Sequence, residues 1–304
     1  LPRLAVTLGD PRGIGPEIVA RALETPVEAE LTVIGADDQI EGLPAARLVG
    51  VGRWAKGGPV SSRPVRAGQI AGHSVETAAR LALEGAVDGI VTAPLQKQAL
   101  HLAGFTYPGH TEWLAHLAGD VDVAMMLAAE RLRVVLVTTH VPLRVVPELL
   151  TVDRIVRVGQ VTRRALHDWW GLKSPRLVLC ALNPHAGEGG IFGDEERRIL
   201  EPAAAELKAA GPLPADTVFV RALRGEFDAV LAPYHDVGMT AIKVAAFGSA
   251  VNVTLGLPFP RTSPDHGTAF DIAGTGQADP SSMRKALELA VELARRNVDV
   301  PARR

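Results

Sequence analysis

"LAVTLGDPRGIGPE", residues 4–17, runs from a short apolar stretch through a cluster of glycine, proline and charge into the beginning of an amphipathic segment. That order predicts a strand, a tight turn and a helix, with Pro16 in the first helical turn, where its missing N–H goes unneeded. Gly9, Gly13 and Gly15 invite a dinucleotide-fold reading, but Gly13-Ile14-Gly15 is followed by Pro16, Glu17 and Ile18, so the GxGxxG spacing is not met. The stretch therefore predicts an α/β unit without a Rossmann fingerprint.

Outward from this segment the pattern repeats. "LTVIGAD", "GIVTAP", "VVLVTTH", "LVLCALNPH", "AVLAPYHD" and "AVNVTLG" are apolar runs of strand length, each closed by a turn or polar cluster. Between several of them, residues 74–87, 151–170, 194–211 and 281–297 place apolar side chains on one helical face. Continuous apolar strands alternating with such helices predict an α/β architecture with a largely parallel sheet. In 304 residues with a formal charge of −2 there is no basic footprint for nucleic acid or an anionic membrane, which leaves small molecules as the expected partners. Cys180 is the single cysteine, so neither an internal disulfide nor a thiolate cluster can form within one chain. Without a signal-like or membrane-length apolar run, the expected compartment is the cytoplasm.

Ligands of open α/β sheets bind beyond the carboxyl ends of the strands. His140, His185 and His235 each follow an apolar run, in "VVLVTTH", "LVLCALNPH" and "AVLAPYHD". A single histidine there is more often a loop hydrogen-bonding group than a ligand, and three at equivalent positions point to a joint site. Imidazole nitrogen suits zinc, cobalt, nickel or ferrous iron better than magnesium, and three protein ligands leave room for a substrate. Asp236 and Glu188 are candidates for orienting those ligands or transferring protons; each could equally be a solvated loop carboxylate. In "YPGHTEWLAHL", His110 and Thr111 stand where a Pro-Gly turn enters a helix, with Thr111 as a candidate N-cap. Free N–H groups there could hold a carboxylate or phosphate. The stretch "RTSPDHGTAFDIAGTGQADP", 261–280, has the small residues and glycine turns of a ligand-binding loop.

"GDPRGIGPE", "VTAPLQK", "PGHTE", "TTHVPL", "LNPHAGEGG", "PYHDVG" and "VNVTLGLPFPRTSPDHGTAFDIAG", in this order over nearly the whole chain, resemble the 4-hydroxythreonine-4-phosphate dehydrogenase family of pyridoxal phosphate biosynthesis. The loop "DHGTAFDIAGTG" also resembles the nucleotide-binding loop of isocitrate and isopropylmalate dehydrogenases. The resemblance implies their two-domain fold, with one domain from about 1–110 plus 252–304 and a central domain from about 111–251. It implies oxidation of the C3 hydroxyl of 4-(phosphooxy)-L-threonine by NAD or NADP with a divalent metal, zinc foremost and cobalt or magnesium as alternatives. The resulting 2-amino-3-oxo-4-phosphooxybutanoate would lose CO₂ to give 3-amino-2-oxopropyl phosphate.

Carried onto this chain, the resemblance implies metal ligation by His140, His185 and His235. It implies substrate binding by His110, Thr111, Lys243, Asn252 and Arg261, and nucleotide contacts from Asp265, His266, Gly267 and Thr268. Lys243 and Asp236 are the candidates for proton transfer. A homodimer with shared sites is implied, with His140 and His185 from one subunit and His235 from the other. The chain departs from the family at Val237, where glutamine is common, and at Thr275, where lysine is common. Relatives with these motifs also oxidise threonate or erythronate 4-phosphate and aromatic dihydrodiols. Two other classes, a metallohydrolase using histidine-held metal to activate water and a non-catalytic sugar-acid phosphate-binding protein, leave the 261–280 loop or the histidine trio without a purpose.

Overall fold

The computed structural model describes residues 1–54, 63–246 and 248–298; the last residues of the expected terminal domain, 299–304, lie outside them. In chain order the strands are β1 (Arg3–Thr7), β2 (Glu30–Gly35), β3 (Arg47–Gly50), β4 (Gly89–Thr92), β5 (Ala124–Ala128), β6 (Arg133–Leu136), β7 (Leu177–Cys180), β8 (Ala210–Leu213), β9 (Ala229–Ala232), β10 (Val251–Leu255) and β11 (Arg261–Pro264). The chain divides into two compact units, Leu1–Val121 with Leu257–Arg304, and Asp122–Gly256.

In the terminal unit the strands lie in the order β3-β2-β1-β4-β11, every pair parallel. Both faces of such a sheet are covered, and so β1, β4 and β11 read as nearly unbroken buried runs instead of alternating ones. The helix Arg63–Leu83 lays Ile70, Val75, Ala78 and Leu81 inward, and Ser281–Val298 carries the chain's second contribution to this unit. The order β3-β2-β1-β4 is shared with dinucleotide folds. Here, however, the strand beside β4 arrives from the far end of the chain, and the turn after β1 is closed: Ile14 N–H donates to the Thr268 carbonyl at 2.9 Å.

The central unit has the order β10-β5-β6-β9-β7-β8, with β10, β5 and β6 antiparallel and β6, β9, β7 and β8 parallel. The expectation of a largely parallel sheet therefore holds except along β5 and β10. Its core gathers Leu127, Val134, Val178, Val230 and Ile242, and Val237 packs against that cluster.

The unit boundaries fall later than expected, after Val121 and Gly256 instead of near 110 and 251. Aromatic packing gives the reason for the first. Trp113 is 1% exposed, stacks on Tyr107 at 5.4 Å and meets Phe105 at 4.9 Å, fastening its helix to the terminal unit. The 194–211 stretch also differs: a π-helical turn Glu196–Leu200 precedes the helix Glu201–Leu207, and residues 210–211 open β8.

Candidate active site

Three parallel neighbours, β6, β9 and β7, each end a few residues before one of the candidate histidines. Strands in a sheet lie about 4.8 Å apart, so the loops that follow them are forced into proximity. The buried Thr138 hydroxyl ties two of these loops together by donating to the Pro233 carbonyl at 2.8 Å. The His140 and His235 rings lie 5.3 Å apart, centroid to centroid, inclined at 48°. His235 opens the helix His235–Ala246, which sits close to β6 because Gly238 has no side chain: a Cβ there would stand 2.7 Å from Leu136 Cδ2.

Asp236 Oδ1 lies 2.6 Å from His235 Nδ1. A carboxylate in that position fixes the ring and directs Nε2 outward, as it does for metal-binding histidines. Asp236 thus touches the site through His235. Lys243 follows Asp236 by seven residues on the same helix, which at 3.6 residues per turn returns it to the same face.

His185 is reached differently. It follows Asn183 and Pro184 in a run from His185 to Gly189 in which every φ is positive, 52° at His185 and 42° at Glu188. Non-glycine residues seldom hold that left-handed conformation without support. The support is Glu196, 4% exposed, whose Oε1 accepts the N–H groups of Leu182 at 3.0 Å and Asn183 at 2.7 Å. Its Oε2 accepts from Asn183 Nδ2 at 2.9 Å. The His185 ring faces Phe192 at 6.5 Å. Among the described residues no three His, Cys, Asp or Glu come close enough to hold a metal ion together. Within one chain the His140 and His235 rings are neighbours. Glu188 is exposed in the left-handed run. Nearby Cys180 is buried, and desolvation with the Glu196 charge pushes its thiol up to about 12, which leaves it inert.

In the terminal unit Arg261, the first residue of β11, is 2% exposed and donates from its guanidinium to Thr92 Oγ1 at 2.6 and 3.1 Å. Burial pushes its pKa down to about 10, against the pull of Glu112. His110 opens the helix His110–Leu117, with Gly109 and not Thr111 at the cap; Thr111 falls in the first turn. Burial, then the Arg261 and Lys97 charges, hold the His110 pKa well below the ordinary histidine value, and its Nε2 is enclosed with no hydrogen-bond partner. Lys97, whose charge acts on His110, stands out neither by residue type nor by spacing; its signal was a place in the "VTAPLQK" motif. In the central unit Asn252 Oδ1, on β10, is likewise enclosed and without a partner.

The 265–278 loop follows β11 and leads to the helix Ser281–Val298. Asp265 accepts from the Ser282 hydroxyl at 3.4 Å, His266 Nδ1 lies 3.1 Å from the Gly267 carbonyl oxygen, and Gly267 is exposed. Thr275 closes its own turn by donating to the Ile272 carbonyl at 2.7 Å.

The sequence pattern of the family described as pyridoxal phosphate biosynthetic protein PdxA matches residues 16–290. The chain is 44% identical to 4-hydroxythreonine-4-phosphate dehydrogenase of Geobacter metallireducens, over 97% of this chain and 96% of that one. It is 43% identical to D-threonate 4-phosphate dehydrogenase of Salmonella typhimurium, over 96% and 98%. A crystal structure of 4-hydroxythreonine-4-phosphate dehydrogenase from Klebsiella pneumoniae superposes with a TM-score of 0.84 at 41% identity, covering 96% of this chain and 98% of that one.

Proposed function

The chain belongs to the PdxA family of pyridoxal phosphate biosynthetic proteins, and on that premise we propose that it oxidises 4-(phosphooxy)-L-threonine with NAD or NADP. It is a dehydrogenase, as its curated relatives are, which sets the metallohydrolase and the non-catalytic binder aside. The C3 hydrogen leaves as hydride to the nicotinamide and the hydroxyl proton leaves to a base. The β-keto acid formed then loses CO₂ to give 3-amino-2-oxopropyl phosphate.

The observation that carries this reading is the enclosed, unpartnered His110 Nε2, set in the terminal unit within reach of the buried Arg261 charge. The family resemblance implies substrate contacts for both residues, and an enclosed polar atom without a partner costs about 1–3 kcal/mol. A ligand bearing phosphate or carboxylate and hydroxyl groups supplies the missing partner. Arg261, kept charged although buried, offers a charge-assisted bond to an anionic group, and His110, kept neutral, can accept or donate a single hydrogen bond.

The donor set fits a divalent metal in kind: two adjacent imidazoles, one with its Nδ1 held by a carboxylate. His140 and His235 of one chain would hold it, with His185 of a second copy as third ligand, in a homodimer with shared sites. Bound there, zinc or another divalent ion would supply Lewis-acid polarisation of the substrate alcohol. Lys243 takes the hydroxyl proton, and Asp236 keeps His235 in its working orientation. Asp265, His266, Gly267 and Thr268 meet the nucleotide.

D-threonate 4-phosphate is the second reading, favoured by a D-threonate 4-phosphate dehydrogenase at 43% identity over almost the whole chain. Val237, where the family resemblance leads to glutamine, packs against the central core. NAD(P)H formation by zinc-, cobalt- or magnesium-loaded protein decides, with 4-(phosphooxy)-L-threonine, D-threonate 4-phosphate, D-erythronate 4-phosphate and an aromatic dihydrodiol as substrates. The highest kcat/KM is expected with 4-(phosphooxy)-L-threonine. A higher value for another acid transfers the assignment to it, and no NAD(P)H with any of the four defeats the reading.

A further inference from the structure

The glycine-rich segment that opens the chain has no role in the chemistry above, yet much of its polar surface is turned on one target. Glu17 Oε2 accepts the Gly274 N–H at 3.0 Å, and its Oε1 accepts the Ala278 N–H at 3.1 Å. One turn along the same helix, Gly15–Ala22, Arg21 donates to the carbonyls of Ala278 at 2.5 Å and Gly276 at 3.3 Å. Ile14 N–H donates to the Thr268 carbonyl at 2.9 Å. Gly13 abuts the same residue so closely that a Cβ there would stand 2.8 Å from the Thr268 carbonyl oxygen. The Arg12 guanidinium covers the Phe270 ring at 5.0 Å, while its N–H edge donates to the buried Asp10 at 2.7 Å and to Gln96 at 2.6 Å.

We infer that Glu17 is a positioning residue for the dinucleotide, acting through the 265–278 loop by fixing the backbone that follows Asp265, His266, Gly267 and Thr268. This rests on the reading that the loop takes the nucleotide. The loop is largely exposed and contributes few side chains to a core, so its order must come from such attachments against the entropy of a free loop. One carboxylate receiving two N–H groups four residues apart is a charge-assisted clamp, and it spans the two glycine turns at Gly274 and Gly276. Glu17 is thereby committed to backbone, so it does not itself read the ribose. The segment that looks like a cofactor cradle is the support of the loop that is one.

Glu17→Gln keeps the size and shape of the side chain but replaces one acceptor with an N–H₂ that faces a backbone N–H. With the metal-loaded enzyme, amide exchange at Gly274 and Ala278 should quicken roughly ten- to a hundredfold, and the KM for NAD(P) should rise by a similar factor. The Kd for the phosphorylated acid should stay within about twofold and kcat at saturating dinucleotide should change little; a merely structural role would move both with Tm. Glu17→Asp, with a shorter reach and the charge retained, should recover part of the dinucleotide KM. His266→Ala is the control for the loop reading. Unchanged exchange at both amides in Glu17→Gln overturns the clamp. Faster exchange with an unchanged dinucleotide KM overturns the inference if His266→Ala raises that KM, and overturns the loop reading itself if His266→Ala does not.

Discussion

The rings of His140 and His235, ninety-five positions apart in the chain, meet at 5.3 Å because β6 and β9 are parallel neighbours and Thr138 bonds the Pro233 carbonyl between them. Asp236 then sets the His235 ring from behind. His140→Ala and His235→Ala should each abolish turnover and lower bound metal by elemental analysis, with Tm unchanged in metal-free protein. Asp236→Asn should weaken metal binding about 10–100-fold without removing it. Full metal content and activity in either histidine variant would take that residue out of the site.

If the third ligand comes from His185 of a second copy, subunit mixing has a specific outcome. His185→Ala mixed with His140→Ala leaves one of the two sites in each heterodimer fully wild type, so activity should return. His140→Ala mixed with His235→Ala damages both sites and should stay inactive. Recovery only in the second mixture, with exchange verified by mass, would restore the arrangement expected from the sequence, in which His140 and His185 share a subunit.

Asn252→Ala and Arg261→Met should weaken the phosphorylated acid by about ten- to a hundredfold, since bonds to charged groups contribute roughly 1.5–3 kcal/mol. Stability distinguishes this from general damage at Asn252: its Oδ1 is enclosed without a partner, so Asn252→Ala should leave Tm of the ligand-free protein unchanged or slightly higher. Calorimetric titration and a thermal melt on the same sample check both. Unaltered substrate affinity in both variants would contradict the assignment.

His110 gives a pH signature. Its folded pKa is depressed by burial and by Arg261 and Lys97, whereas the unfolded chain protonates near pH 6.5. Below that pH the unfolded state holds the extra proton, so stability falls as pH drops, by up to about 1.4 kcal/mol per unit until the folded pKa is reached. His110→Gln removes this contribution, and its Tm should decline less steeply than wild type between pH 6.5 and 5. Parallel curves would mean that His110 charges freely in the folded protein.

The reach of the sequence followed the range of the interactions. "LVLCALNPH" and "AVLAPYHD" disclosed β7, β9 and the two histidines beyond them, because a buried parallel strand is written in consecutive apolar residues. β3, β5, β8 and β11 were not read: β11 is Arg-Thr-Ser-Pro, polar residues buried only because the sheet and a helix close over them. The first unit boundary was misplaced because the stacking of Trp113 on Tyr107 is tertiary, and nothing in the spacing of "YPGHTEWL" records it. Nothing in the spacing of "DEERRIL" singles out Glu196, whose burial against Leu182 and Asn183 goes with a π-helical turn that no periodicity announces. The left-handed run at His185 was hidden for the same reason, since Ala186 and Glu188 carry no preference for it.

The central claim is a hydride transfer from C3 of a phosphorylated hydroxy acid, and isotope transfer tests it most directly. Metal-loaded protein would be given 4-(phosphooxy)-L-threonine carrying deuterium at C3, with NAD and NADP in separate reactions, and the nicotinamide product weighed by mass spectrometry. The account predicts one deuterium in NADH or NADPH for each molecule of CO₂ released. Reduced nicotinamide without deuterium, or loss of substrate with no reduced nicotinamide, would contradict it.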